Sequence, residues 1–232
     1  MTPDAARVGP AALVVGSAPL SDAGLDQLFD LASRAALVVA ADGGMRHLLA
    51  LGLGADWLVG DLDSLDRDLQ ARVPESTRWQ RHPRDKDATD LELALRLAAR
   101  ESEASAELWI AAALGGRVDH GVANLQLATH AELRRRRLRF VHGDQTLWHL
   151  TAPDRLEIAG AAGDTLSLIP MSDTPTRVRS RGLRWPLDGS TLEAAGTRGL
   201  SNTLSSPTAS VELIAGRLLC VHIPAASRIL SV

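Results

Sequence analysis

The chain of 232 residues contains a single cysteine, and this scarcity limits the chemistry that it can support. One thiol cannot form a disulfide within the chain. Cys220 lies in the apolar run LLCVHI, where a buried strand position is favoured over a nucleophile. Cysteine and histidine lack the spacing of a zinc site, and no serine elbow is present, which disfavours zinc sites and serine hydrolases.

Long apolar segments are missing as well, since no run reaches the roughly 20 residues that a membrane-spanning helix needs. The N-terminus lacks the basic and then apolar order of a signal peptide, so we expect a cytoplasmic protein. The net charge of −3 gives no basic surface for nucleic acid. The one basic run, from Arg134 to Arg137, is expected to be a solvated helix end.

Two domains are predicted from the hydrophobic pattern. Apolar runs alternate with helix-period segments in the first part, which predicts an α/β domain over residues 1–144, built on a parallel sheet covered on both faces. Short runs separated by Gly, Pro, Ser and Asp follow, and they favour an antiparallel β-sandwich or partial barrel over residues 145–232. The predicted elements of the first domain are strands at 11–16, 36–41, 57–60, 78–82, 107–114 and 138–142 and, among its helices, 88–100 and 118–133.

Two carboxylates follow the apolar run WLVG, which predicts a strand that ends at Gly60. Ligands of open α/β sheets lie beyond the carboxyl ends of the strands, where Asp61 and Asp63 could face one small volume. Hard oxygen ligands of this kind suit Mg²⁺. An Asx-turn followed by a helix N-cap explains the same residues, so both interpretations stay open.

A second acidic cluster, consisting of Asp85, Asp87 and Asp90, precedes or opens the strongest helical segment. An N-cap at Asp87 or Thr89 explains one or two of these acids, but not three in addition to those after Gly60. Converging carboxylates need metal ions to be neutralised, and such ions mostly serve phosphates. Lys86, the only lysine among 25 basic residues, lies inside this cluster as a compact charge that fits between carboxylates or against a phosphate.

Glycine pairs at Gly43–Gly44 and Gly115–Gly116 could let backbone N–H groups approach a phosphate. Arg117 could bind a phosphate with two hydrogen bonds, and Asp119 could hold a ribose hydroxyl or a metal. His120 is equally consistent with a helix-start cap and a catalytic group. Neither GxGxxG nor GxxxxGK[ST] occurs, so the motifs do not support dinucleotide-binding or P-loop folds.

Two segments of the second domain carry candidate binding residues. Trp185 stands next to a proline, which is usually a core or strand-edge arrangement, and Ser201–Asn202 is usually a turn. Trp185 could nevertheless stack on a flat heterocycle, with Ser201 and Asn202 hydrogen-bonding its edge.

Taken together, these motifs resemble those of the thiamine pyrophosphokinase family. The matching motifs occur in family order across nearly the whole chain: Ala41–Gly44, Gly60–Ser64, Asp85–Asp90, Gly115–His120 with Ala123–Asn124, Gly182–Leu187 and Gly199–Asn202. The resemblance implies an N-terminal α/β catalytic domain, a C-terminal β-sandwich that binds thiamine and dimerises, and a homodimer with its active sites between subunits. It also implies Mg²⁺-dependent transfer of the pyrophosphoryl group of ATP to the hydroxyl of thiamine, giving thiamine diphosphate and AMP.

The resemblance also implies roles for individual residues. Asp61, Asp63 and Asp90 would hold Mg²⁺ and take part in catalysis. From its own place among the acids, Lys86 is predicted to lie against the phosphates as a further catalytic group. Thiamine would be bound by Trp185, Ser201 and Asn202, although many bacterial members have Tyr in place of this Trp. The residues expected to contact ATP are Asp42, Gly43, Gly44, Thr89, Gly116, Arg117, Asp119, His120 and Asn124.

Other functions stay open at this point. The chain could transfer a pyrophosphoryl group to another heterocyclic alcohol such as a pterin, or use the same acids as a metal-dependent phosphoesterase. A non-catalytic nucleotide sensor is disfavoured, because a sensor need not neutralise a transition state and every acidic cluster is intact.

Overall fold

The computed structural model describes residues 11–226, which form two compact units, the first ending at Gly143 and the second beginning at Asp144. The N-terminal segment from which we predict the absence of a signal peptide lies largely outside the described residues. Within residues 11–226 no helix has the length and apolar character that crossing a membrane requires.

The first unit alternates strands and helices. Its strands are β1 Ala12–Val15, β2 Leu37–Ala41, β3 Trp57–Gly60, β4 Arg78–Arg81, β5 Leu108–Ala111 and β6 Leu138–His142, and its helices are α1 Asp22–Arg34, α2 Gly44–Ala50, α3 Arg67–Arg72, α4 Asp90–Glu101 and α5 Val118–Gln126. The strands pair in parallel in the order β6-β5-β1-β2-β3-β4. The central strand β1 is buried along its whole length, as expected for an unbroken apolar run covered on both faces.

Side-chain caps fix where α1, α3 and α4 begin. The Ser21 Oγ accepts the Gly24 N–H at 3.3 Å, and the Thr89 Oγ1 accepts the Glu92 N–H at 3.2 Å. Thr89 is therefore the N-cap of α4, one of the two alternatives that the sequence left open. The cap makes Asp90 the first residue of α4, at the carboxyl edge of the sheet.

The prediction of one helix over residues 118–133 is wrong, and the basic run that follows is solvated only in part, since Arg134 and Arg135 are exposed. Helix α5 ends at Gln126, one 3₁₀ turn follows at Leu127–Thr129, and turns continue to Arg136. The Arg136 guanidinium is partly buried and donates hydrogen bonds to the Ala99 and Ala106 carbonyls at 2.7 and 3.1 Å. Arginine carries five donors, so Arg136 satisfies carbonyls at the end of α4 and in the loop that follows it instead of remaining in solvent.

The second unit contains two antiparallel sheets, in the orders β12-β9-β14-β7 and β11-β10-β13-β8. The sequence pattern did not predict the short strands β11 and β12. Apolar residues of both sheets form one core, in which Cys220 is fully buried as predicted. The strands are β7 Gln145–Thr151, β8 Asp154–Ala159, β9 Thr165–Pro170, β10 Thr176–Arg181, β11 Ser190–Leu192, β12 Asn202–Thr203, β13 Thr208–Ala215 and β14 Arg217–Ile223. The predicted fold class, a parallel α/β unit followed by an all-β sandwich, is confirmed.

Candidate functional site

Three carboxylates meet at the carboxyl edge of the parallel sheet. Asp42 follows β2, Asp61 follows β3, and Asp90 opens α4. One oxygen of each lies within 4.8 Å of the corresponding oxygens of the other two. The cluster therefore draws its members from three loops that only the sheet brings together.

The backbone around the cluster adopts conformations that favour glycine or hold side chains in unusual directions. Gly60 has φ 151°, and a Cβ there would lie 2.9 Å from the Asp42 Cβ and 3.0 Å from an Asp90 carboxylate oxygen. Asp42 and Leu62 have left-handed φ values of 42° and 67°. Strained residues of this kind are concentrated at functional sites, where surrounding packing holds them.

Leu62 also explains why its two acidic neighbours separate. Its side chain is buried in the core of the first unit, and its left-handed backbone turns the chain between Asp61 and Asp63. Asp61 joins the cluster, while the Asp63 carboxylate lies 3.4 Å from Arg84 Nε and is half-exposed. The structure brings Asp42 into the cluster and places Asp63 outside it, so the metal role of Asp63 stays a prediction.

Lys86 supplies positive charge to the cluster. Its Nζ lies 2.7 Å from Asp61 Oδ2 and 3.1 Å from Asp90 Oδ1, and its side chain is largely buried. The hydrogen bond from Lys86 is the main reason that the pKa of Asp61 is lowered. Burial raises the pKa of Asp90 despite the opposing effect of Lys86. Burial would lower the pKa of Lys86, but its hydrogen bonds to both acids outweigh this effect and raise it.

The cluster fits a hard divalent cation. Asp42 Oδ1 is buried without a hydrogen-bond partner, and an unpaired buried carboxylate oxygen is costly. Three carboxylates beside one ammonium leave a negative surplus, and oxygen donors of this type are those that Mg²⁺ prefers. Asp42, Asp61 and Asp90 are therefore the residues that could hold Mg²⁺.

A cavity of about 490 Å³ adjoins two members of the cluster, Asp42 and Asp90. Seven residues predicted to contribute to the site line it: Asp42, Thr89, Asp90, Gly116, Arg117, His120 and Asn124. The wall also contains residues that we did not predict, namely Ala18, Pro19, Leu91, Ala112 and Ala113. Their signal in the sequence is only their position in a loop after a strand or at the start of a helix, which many structural residues share.

Several predicted ATP contacts shape the cavity or its surroundings. The buried Asn124 Nδ2 donates to the Ala113 carbonyl at 2.7 Å and so fixes one wall. Gly44 begins α2, and a Cβ there would lie 2.0 Å from the Val15 carbonyl oxygen, so close helix packing requires this glycine. Gly43 and Gly44 do not line the cavity, and their predicted contact with ATP stays a prediction.

Arg117 and Asp119 form an exposed ion pair at the start of α5. Arg117 Nε donates to Asp119 Oδ1 at 3.1 Å, and the hydrogen bond from Arg117 lowers the pKa of Asp119 to about 2. Arg117 lines the cavity, whereas Asp119 does not. Asp119 therefore orients the guanidinium at the cavity wall, and its predicted contact with ATP stays untested.

In the second unit, Asn202 contacts the backbone of Trp185. Asn202 Oδ1 accepts the Trp185 N–H at 3.1 Å, and Asn202 Nδ2 donates to the Trp185 carbonyl at 2.6 Å. Trp185 is 55% exposed, with the Arg184 guanidinium 4.8 Å from its ring centroid. Ser201 has φ 54°, and its N–H donates to Ser167 Oγ at 3.0 Å. The three predicted substrate residues thus belong to one small hydrogen-bonded region.

Fold and cluster together define a class of protein, in which a parallel α/β unit carries converging carboxylates beside a cavity and an antiparallel β unit follows. Comparison with known proteins narrows this class. The model described as "Thiamin pyrophosphokinase, catalytic domain" matches residues 28–141, and the model described as "Thiamin pyrophosphokinase, vitamin B1 binding domain" matches residues 154–218. The chain belongs to the thiamine pyrophosphokinase family, and the resemblance stated from its motifs is confirmed.

Individual relatives agree with this assignment. Thiamine pyrophosphokinase 1 of Arabidopsis thaliana is 28% identical over 166 residues, which are 68% of this chain and 61% of that relative. Thiamine pyrophosphokinase of Bacillus subtilis is 24% identical over 80% of this chain and 86% of that protein. The crystal structure of a thiamin pyrophosphokinase family protein from Enterococcus faecalis superimposes with a TM-score of 0.76 at 25% identity, covering 92% of this chain and 98% of that one.

Proposed function

We propose that this chain is a Mg²⁺-dependent thiamine diphosphokinase, which transfers the pyrophosphoryl group of ATP to the hydroxyl of thiamine and releases AMP. The observation that carries the proposal is the carboxylate cluster with Lys86, placed beside a cavity in the unit that matches a catalytic-domain model. Attack at the β-phosphorus requires negative charge on the β- and γ-oxygens to be neutralised. A cluster that combines an ammonium with metal-binding acids is suited to this task.

The residues of the first unit have distinct tasks in this proposal. The cavity holds ATP, and Arg117, oriented by Asp119, contacts its phosphates. Lys86 lies against the transferred phosphates and positions Asp61 and Asp90. Asp90 or Asp61 also orients the thiamine hydroxyl for attack. Positioning and charge complementarity supply most of the catalysis in such reactions.

Asp61, Asp90 and Asp42 would hold Mg²⁺, and Asp63 is the further ligand that the sequence predicts. When bound, the ion neutralises phosphate charge and polarises the phosphorus under attack. The acids in turn keep the transferred group in line with the acceptor hydroxyl.

The second unit is proposed to bind thiamine. The match of residues 154–218 to a vitamin B1 binding domain supports this assignment, as does the exposed ring of Trp185. Trp185 offers a flat face for the heterocycle, while Ser201 and Asn202 lie beside it as hydrogen-bonding residues. We further propose a homodimer with active sites between subunits. Equilibrium sedimentation tests this, and we expect it to give the mass of two chains.

Incubation with ATP, MgCl₂ and thiamine tests the proposal, with AMP and thiamine diphosphate measured by chromatography. We expect the two products in equal amounts and no reaction in excess EDTA. A matched reaction without thiamine separates transfer from hydrolysis. Release of free phosphate without thiamine diphosphate would support the phosphoesterase alternative and contradict the proposal.

The alternative acceptor is tested by replacing thiamine with a pterin alcohol in the same assay. We expect transfer to thiamine alone, because the second unit matches a vitamin B1 binding domain and carries Trp185. Equal or faster transfer to the pterin would overturn the choice of acceptor while leaving the reaction type intact.

A further inference from the structure

The loop between β1 and α1 forms one wall of the cavity. Gly16, Ser17, Ala18 and Pro19 all line it. The backbone of a neighbouring strand end holds this loop, since the Ala18 N–H donates to the Ala112 carbonyl at 2.8 Å. A ligand in the cavity therefore contacts a wall whose position depends on how this loop is fixed.

The other side of the same residue is fixed by a side chain. His47 Nε2 lies 3.0 Å from the Ala18 carbonyl oxygen. A carbonyl only accepts, so Nε2 must carry the proton and donate. His47 belongs to α2, whose first residue Gly44 packs directly on the end of β1. The helix that follows Asp42 thereby contacts a loop that lines the cavity.

Burial favours the neutral imidazole, in the tautomer that carries its proton on Nε2. It lowers the pKa of His47 and outweighs the opposing effect of the Ala18 carbonyl. His47 itself does not line the cavity. Its hydrogen bond therefore acts on the loop and not on a bound molecule.

We propose that His47 is a positioning residue for nucleotide binding, which holds the Gly16–Pro19 loop at the cavity wall through the Ala18 carbonyl. This role rests on the proposed function, because it takes the cavity to be the ATP site. Together with Asn124, which fixes the Ala113 carbonyl on the same cavity, His47 makes the wall a preformed surface. A preformed wall reduces the ordering that binding would otherwise require.

Steady-state kinetics of His47→Leu and His47→Gln test this role. Removing the donor leaves the Ala18 carbonyl without its side-chain partner, and we expect the KM for ATP to rise about tenfold in His47→Leu. The thiamine KM should change little, since the loop is not part of the second unit. The Gln amide can place an N–H near the former Nε2 position, so His47→Gln should retain an ATP KM within about threefold of the wild type.

A matched control is His130→Leu, because His130 is also partly exposed but does not line the cavity. Its ATP KM should equal that of the wild type. Calorimetry with a non-hydrolysable ATP analogue measures nucleotide affinity without turnover, so it tests the role of His47 independently of the reaction. An active wild type with unchanged ATP KM and analogue affinity in His47→Leu would overturn the role of His47 alone. A wild type that binds no analogue would overturn both the ATP site and the positioning role.

Discussion

Lys86 Nζ donates a hydrogen bond to Asp61 Oδ2 at 2.7 Å and also lies 3.1 Å from Asp90 Oδ1. The only lysine of the chain thus links the loop after β3 to the start of α4. An arginine would carry the same charge, but its planar guanidinium would not fit this small space between two carboxylates in the same way. The geometry explains why lysine occurs here in a chain otherwise rich in arginine.

Lys86→Met is therefore expected to lower kcat by about 100-fold or more and to raise the ATP KM. The variant removes positive charge from both the acids and the transferred phosphates, and one such electrostatic contact is typically worth about 3 kcal/mol in the transition state. Steady-state kinetics with ATP and thiamine measure both constants. Lys86→Arg is the matched control and should recover only part of the activity. An unchanged ATP KM in Lys86→Met would refute contact with the phosphates.

Asp63 provides a second test, because its carboxylate faces Arg84 and not the cluster. Our prediction from the sequence is that Asp63→Asn abolishes turnover without unfolding the protein, as a metal ligand would. Arg84→Ala removes the partner that the structure shows. Activity and circular dichroism of both variants separate the roles, and we expect Arg84→Ala to remain active. Near-normal activity of Asp63→Asn would show that Asp63 is not a ligand, and equal loss in both variants would point to the ion pair.

The sequence pattern was sufficient to predict that acids from separate strand ends lie close together. Parallel strands place their carboxyl ends at one edge, so the acids after β3 and before α4 could be expected to meet without coordinates. Which acids meet could not be predicted, because it depends on the left-handed turn at Leu62. One buried leucine between Asp61 and Asp63 sends the two side chains in different directions, and the spacing alone does not reveal this.

The length of α5 shows a different limit. Helical periodicity continues past Gln126, but the chain leaves the helix, and Leu133 becomes fully buried through a series of turns. The Arg136 guanidinium binds the Ala99 and Ala106 carbonyls, contacts that span 37 and 30 residues of sequence. Tertiary contacts of this kind override local periodicity, whereas the amphipathic α4, with a side-chain cap at Thr89, forms as predicted.

In the second unit, Asn202→Ala and Trp185→Leu are expected to have the same kinetic effect. Asn202 holds the backbone of Trp185 through both its N–H and its carbonyl, so losing either residue should displace the ring. We expect the thiamine KM to rise about tenfold in both variants with the ATP KM unchanged. Trp185→Phe is the control, because it retains an aromatic face. A normal thiamine KM in Trp185→Leu would exclude stacking on this ring.

The last prediction concerns His149, which is buried in β7 with Nε2 lacking a hydrogen-bond partner. Burial, followed by the charge of Arg217, lowers the pKa of His149 to about 4. Between this value and the unfolded pKa of about 6.5, the unfolded chain binds a proton that the folded chain does not. The free energy of unfolding must therefore fall as the pH is lowered through this window.

From these two pKa values, His149 should remove about 2 kcal/mol of stability between pH 7 and pH 5. Urea unfolding of the full chain at both pH values measures the loss, and His149→Leu should lose about 2 kcal/mol less than the wild type. His130→Leu, which alters a partly exposed histidine in the first unit, controls for the substitution itself. The same pH dependence in His149→Leu and the wild type would show that the imidazole takes up its proton in the folded state, because the structure can then solvate Nε2 without unfolding.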